Sequence, residues 1–342
     1  MKLESCNRLC RFASRRNLKL ETFTFHLSPF TITMGRLSEL DFLKCVMIIL
    51  MISFHLVYIG DSYPYAKQVV YTFHMPVFLI ISGFLMNIGK PAAKFCKTMA
   101  AFLVPYIIME GGYIFMASIV PIREHIDNLT PAVFYEKMVL HPLGPYWFLR
   151  TLMLCSIPYF IIFRYLPINR GMNCALLAIV YVLYSKAGIV ALTMPTYFFA
   201  GVIIRQTNSV FTDVFRPMWL SLLFIIVLVT EPQNLDARHI GGGLIVYFVT
   251  SLLLAIYPYI KGKLQSGALF IGRNTLPLFL FSPVFTILCK QMLPYLEFDS
   301  TGMIFLFLSL IICISGSLAI AWAMDKTNIS KYFFLKEKAL SL

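Results

Sequence analysis

Apolar residues run along this chain in blocks of helix-spanning length, separated by short polar or basic stretches. A helix needs ~20 apolar residues to cross a hydrocarbon core, with ~17 to 25 observed. On that rule the pattern predicts spans near 43–60, 69–88, 99–121, 146–164, 172–188, 191–205, 216–231, 241–260, 268–290 and 302–324. The expected fold is an all-α polytopic membrane helix bundle of about ten transmembrane helices, both termini cytoplasmic. Three parts follow: a basic arm over 1–35, a transmembrane domain over 36–325 and a basic tail over 326–342. The arm lacks the apolar core of a signal peptide. It is either a flexible cytoplasmic segment or an artefact of start-site choice, since Met34 stands just before the first recognisable feature.

Composition agrees with the blocks. The chain is 59% hydrophobic and 13% charged, whereas a soluble domain carries about a quarter charged residues. The net charge of +13 taken alone would suggest nucleic acid, but its distribution does not. With the N-terminus inside, cytoplasmic stretches hold 21 Lys and Arg and outer loops hold 6, the positive-inside signature of a membrane protein. The eight cysteines are scattered without zinc-type spacing, so no metal site is expected. GxSxG elbow, P-loop and HExxH motifs are absent.

The candidate chemistry lies in ionisable groups inside apolar segments, where they are costly and face cavities. Lys44 and His55 are eleven residues apart. That spacing turns a helix through three turns plus ~20°, which puts both side chains on one face ~16 Å apart. Lys44 falls near the cytoplasmic surface and His55 in the outer half, where a neutral imidazole suits a general base. His74 is expected to open the returning helix at a similar depth, with Pro76 in its first turn. Glu110 lies midway along the third span and is read as facing a cavity or a cation, either orienting an imidazole or pairing with a Lys. Arg150 either contacts an acceptor or snorkels. Lys90, Lys94 and Lys97 gather near Lys44 and Arg36. They serve topology or dock a polyanion arriving from the cytoplasm, such as the phosphates of an acyl-coenzyme A.

These features resemble the integral-membrane acyltransferase family 3, whose members O-acylate surface glycans. The resemblance rests on RLSELDFLKCVMIILMISFH, with Arg36, Asp41, Lys44 and His55. It continues through FHMPVFLIISGFLM, KFCKTMAAFLVPY, PYWFL, PTYFFAGVIIR and IGRNTLPLFLF in family order. It implies a ten-helix domain in a bacterial cytoplasmic membrane. The donor would be cytoplasmic acetyl-CoA or another acyl-CoA, and the acceptor a glycan or lipid-linked glycan. His55 would be the catalytic base with Lys44 as its basic partner; His74 and Glu110 are further catalytic candidates. Arg36, Asp41, Lys44, Lys94 and Lys97 would hold the donor. Transfer either is direct or passes through an acyl-enzyme on His55. The competing class is a transporter or flippase of a lipid-linked glycan, because intramembrane His, Glu and Lys suit proton coupling as well.

Overall fold

The apolar blocks fold as helices because a backbone in hydrocarbon must satisfy its own polar groups. The computed structural model describes residues 37–119, 125–296 and 298–341, and these contain helices and turns but no strand. The expected arm over 1–35, and Arg36 with it, lie outside the described residues. In chain order the α-helices are α1 (Ser38–His55), α2 (Val57–Ser62), α3 (Pro64–Leu85), α4 (Ala92–Ile119), α5 (Pro131–Tyr135), α6 (Trp147–Tyr165), α7 (Arg170–Lys186) and α8 (Thr193–Gln206). They continue as α9 (Phe211–Val214), α10 (Ser221–Val229), α11 (Ile240–Ile256), α12 (Gly262–Arg273), α13 (Thr275–Cys289), α14 (Met303–Lys326) and α15 (Ser330–Phe333).

Two contacts made by glycines frame the centre of the bundle. A Cβ on Gly83 of α3 would lie 2.2 Å from the Phe198 carbonyl oxygen, and one on Gly201 of α8 would lie 2.0 Å from the Ile80 oxygen. The two helices therefore meet backbone to backbone, as small residues permit in membranes. Gly272 brings α12 onto α1 in the same way, with its missing Cβ 1.8 Å from the Asp41 oxygen. Around these seams α1 packs on α3 and α13, α6 on α4 and α7, and α13 on α14.

Among the described residues, six segments are long and apolar enough to cross a membrane: Pro64–Leu85, Ala92–Ile119, Gly144–Tyr165, Ile240–Tyr259, Thr275–Tyr295 and Met303–Lys326. The expectation of ten continuous spans is met only in part. The first breaks at Leu56, which takes extended backbone (φ −69°, ψ 105°). The ninth splits at Asn274, three residues before Pro277, which cannot donate to Arg273 O. The Asn274 side chain instead donates to Phe270 O at 2.8 Å and pairs with the Ser341 backbone. The helix carrying His74 starts at Pro64, so His74 and Pro76 lie in its interior rather than in its first turn.

Candidate active site

Two stripes of side chains build the site. From α1 come Lys44, Ile48, Met51 and His55, and from α3 come Tyr71, Met75, Phe78 and Ser82. Each set follows i, i+4, i+7, i+11, which is one face of a helix. The predicted common face of Lys44 and His55 is therefore present as the wall of two neighbouring cavities. The first, about 160 Å³, contains Lys44, Ser82, Phe102 and Thr275 in its lining. The other, about 190 Å³, contains His55, Tyr71, His74, Pro145 and Trp147. Met51, Met75 and Phe279 belong to both linings and form the septum between them.

The histidine chamber holds both imidazoles in a defined protonation geometry. His55 Nδ1 lies 2.7 Å from Met51 O, and His74 Nδ1 lies 2.8 Å from Val70 O. A carbonyl only accepts, so each Nδ1 carries the hydrogen, and in the neutral ring the free lone pair is on Nε2. The Tyr71 ring lies between the two, 5.9 Å from His55 and 5.2 Å from His74 by ring centroid. Its hydroxyl donates to Phe54 O at 3.2 Å, a carbonyl orphaned where α1 ends. Tyr71 carried no signal in the sequence beyond its place three residues before His74.

Outside the chamber lies a more polar vestibule of about 430 Å³. Lys67, Gln68, Thr72 and Asp236 line it, and Tyr71 and Met194 are shared with the histidine chamber. Asp236 is fixed by Arg238, whose Nε lies 2.8 Å from Oδ2 and whose backbone N–H donates to Oδ1 at 2.8 Å. These hydrogen bonds hold the Asp236 carboxyl below its usual pKa. The Tyr197 hydroxyl ties the same loop to α8 through Ala237 O at 2.8 Å.

At the Lys44 end of the stripes, Lys44 Nζ lies 2.7 Å from Asp41 Oδ1 and Arg273 Nε lies 3.6 Å from Asp41 Oδ2. Asp41 is 4% exposed, and its one carboxylate holds two cations. Arg273 had not been singled out as a site residue; the Gly272 contact with α1 is what delivers it. Lys94 and Lys97 are exposed on α4 and are not part of the Lys44 cavity's lining. Glu110 is fully buried, and its Oε1 accepts from Leu143 N at 2.6 Å. It does not line the histidine chamber. It anchors the segment leading to Pro145 and Trp147, which do. Among the described residues no cluster of His, Cys, Asp and Glu has metal-binding geometry.

One buried and one half-buried imidazole in a chamber that shares a wall with a Lys44-lined cavity suit group-transfer chemistry inside a membrane. The family model described as "Acyltransferase domain" matches residues 37–323, and the chain belongs to that membrane acyltransferase family. A curated relative, nodulation protein NolL of Sinorhizobium fredii (strain NBRC 101917 / NGR234), is 26% identical over 184 residues. That alignment covers 49% of this chain and 48% of the relative, so the chain spans about half the length of the curated protein it matches. No solved structure matches the chain significantly.

Proposed function

We propose that the protein moves an acyl group, most simply acetyl, from cytoplasmic acyl-coenzyme A to a hydroxyl of a cell-surface glycan or its lipid-linked precursor. The setting is a bacterial cytoplasmic membrane, crossed about ten times with both termini inside. The observation that carries this reading is the pair of matching stripes on α1 and α3, which join a cationic inner cavity to a two-histidine chamber. Lys44, held by Asp41 and accompanied by Arg273, faces the donor's phosphates, with Arg36, Lys94 and Lys97 on the cytoplasmic approach. The pantetheine arm crosses the septum of Met51, Met75 and Phe279.

In the chamber, His55 Nε2 takes the proton of the acceptor hydroxyl as that oxygen attacks the thioester carbonyl. The carbon–sulfur bond then breaks, and the imidazolium returns its proton to the leaving thiolate, giving the acyl ester and free coenzyme A. The Met51 carbonyl fixes the tautomer and faces the imidazolium that forms. His74 lies beside the reaction as a second polar group, and Glu110 acts through the loop bearing Pro145 and Trp147. The vestibule of Gln68, Lys67 and Asp236 holds the sugar end of the acceptor next to the chamber.

The test is release of free thiol by purified protein given acetyl-coenzyme A and an acceptor extract, repeated with His55→Ala. Loss of release in the variant, with normal membrane insertion, supports the reading. Release at the wild-type rate removes His55 from the mechanism. No release from the wild-type protein with any acceptor favours the transporter.

A further inference from the structure

A second large hollow, about 850 Å³, opens between α4 and α6. Met99, Leu103 and Tyr106 from α4 face Met153, Ile157 and Phe160 from α6 across it. Its α6 wall is a single stripe in which Arg150 is followed at helical spacing by Met153, Leu154, Ile157 and Ile161. From Ala92 to Ile107 the α4 wall rises ~22 Å at 1.5 Å per residue, most of the ~30 Å of a hydrocarbon core. The groove therefore has the length and lining for an extended hydrocarbon chain.

One end of the groove is not apolar. Arg150 lines it and donates one hydrogen bond, from Nη2 to Ile189 O at 2.8 Å. A guanidinium has five N–H donors, and no ion pair among the described residues includes Arg150. A cation beside hydrocarbon with donors to spare is completed by an anion, and planar guanidinium suits phosphate oxygens.

The same end borders the histidine chamber. One helical turn before Arg150 on α6 stands Trp147, which lines the chamber. Ile189, whose carbonyl holds Arg150, is five residues from Met194, which also lines it. A head group attached to a phosphate on Arg150 would thus begin about one turn, ~5 Å, from the chamber wall.

We infer that the acceptor is delivered on a lipid phosphate carrier, its single hydrocarbon chain in the α4–α6 groove and its phosphate on Arg150. This rests on the acyltransferase reading and narrows its acceptor to a membrane-borne one. The groove keeps the chain in hydrocarbon while the sugar, beyond the phosphate, turns towards His55.

Binding decides it, read by native mass spectrometry of the purified protein in detergent with a long-chain polyprenyl phosphate as probe. The expected result is saturable uptake of one probe molecule, at least tenfold weaker for the matching polyprenol. Arg150→Gln is expected to weaken phosphate-probe binding at least tenfold, and Arg150→Lys less. Ile157→Trp, at an exposed groove position, narrows the channel and weakens phosphate and alcohol probes alike; it also serves if Arg150→Gln fails to fold. Equal binding of phosphatidylglycerol would mark a structural lipid site and overturn the inference. So would binding indifferent to both Arg150→Gln and Ile157→Trp. The two readings fail separately. Thiol release onto a free glycan with no probe binding sinks only the carrier, whereas probe binding without thiol release from any acceptor sinks only the enzyme.

Discussion

The Asp41 carboxylate holds the Lys44 ammonium at 2.7 Å, one turn away on α1, and reaches Arg273 of α12 at 3.6 Å. Asp41 touches no reacting atom in the proposed step; it positions two cations that would meet the donor. Asp41→Asn removes the charge that fixes them while keeping the shape. Each freed cation loses a charge-assisted hydrogen bond or ion pair, an interaction contributing ~1.5 to 3 kcal/mol. The expected outcome is a rise of about tenfold in KM for acyl-coenzyme A with kcat changed much less. A fall in kcat at unchanged KM would move Asp41 to the chemical step.

His55 and His74 share a chamber but not a role. His55 is on the α1 stripe that leads back to Lys44; His74 is off the α3 stripe of Tyr71, Met75, Phe78 and Ser82. General-base catalysis accelerates a reaction ~10²- to 10⁴-fold. His55→Ala is expected to lose that factor in kcat with donor binding retained, and His74→Gln to lose distinctly less. Tyr71→Phe keeps the ring beside both imidazoles and loses the bond to Phe54 O, a cost of about 1 kcal/mol in stability. Single-turnover assays on the three variants check the order; an equal loss in His55→Ala and His74→Gln would refute it.

The α1 face was legible in the sequence because two polar groups eleven apart in an apolar run fix a helical phase. Membership of the acyltransferase family was legible for the same reason, through ordered motifs whose polar positions stand out against hydrocarbon. Tyr71, Arg273 and the loop of Asp236 were not, since their importance comes from tertiary contacts. Arg273 arrives through the close approach at Gly272, and Tyr71 through the break at Leu56 that orphans a carbonyl. Glu110 stands out in the sequence as a buried carboxylate, but its hydrogen bond from the Leu143 backbone N–H is one that no side-chain pattern encodes. The break at Asn274 within the ninth span is not legible, because hydropathy is blind to where an apolar run changes helix.

Gly83 and Gly201 set the distance between α3 and α8, and so the position of the α3 stripe. A methyl group at either site meets a carbonyl oxygen at 2.2 Å or 2.0 Å, and backbone cannot yield as a flexible side chain does. Overpacking of this kind costs about 1 to 3 kcal/mol. Gly83→Ala and Gly201→Ala should each lower thermal stability in detergent by that order. Because both push the same two helices apart, the double variant should lose less than the sum. Full additivity in a thermal unfolding series would mean the seam is not shared.

Met51, Met75 and Phe279 separate the cation from the imidazoles. Methionine side chains are flexible and adapt to what passes, whereas the Phe279 ring is the rigid part of the septum. Phe279→Ala should join the two cavities permanently. The expected outcome is faster release of coenzyme A without acceptor, because water reaches the thioester, and wider acceptance of longer acyl donors. Thiol release measured with and without acceptor, across a donor series, checks both; an unchanged ratio would mean the passage runs elsewhere.

Asp236 separates the vestibule's role from that of the chamber through pH. Its carboxyl is held below the usual 3.8 by hydrogen bonds from Arg238, first the side chain and then the backbone. A carboxyl with a depressed folded pKa contributes stability that is present above the unfolded pKa and lost as pH falls through the folded one. The loop is therefore expected to stay closed throughout the neutral range and to loosen only below 3.8. Across working pH the carboxylate is always ionised, so it adds no ionisation to the rate profile. An imidazole base gives the opposite signature, a rate that falls as pH drops through its own pKa. Asp236→Asn should raise KM for the acceptor while leaving the acid limb of the kcat/KM profile in place. Should that limb move with Asp236→Asn, the titrating group would belong to the vestibule, and the base would have to be sought there instead of at His55.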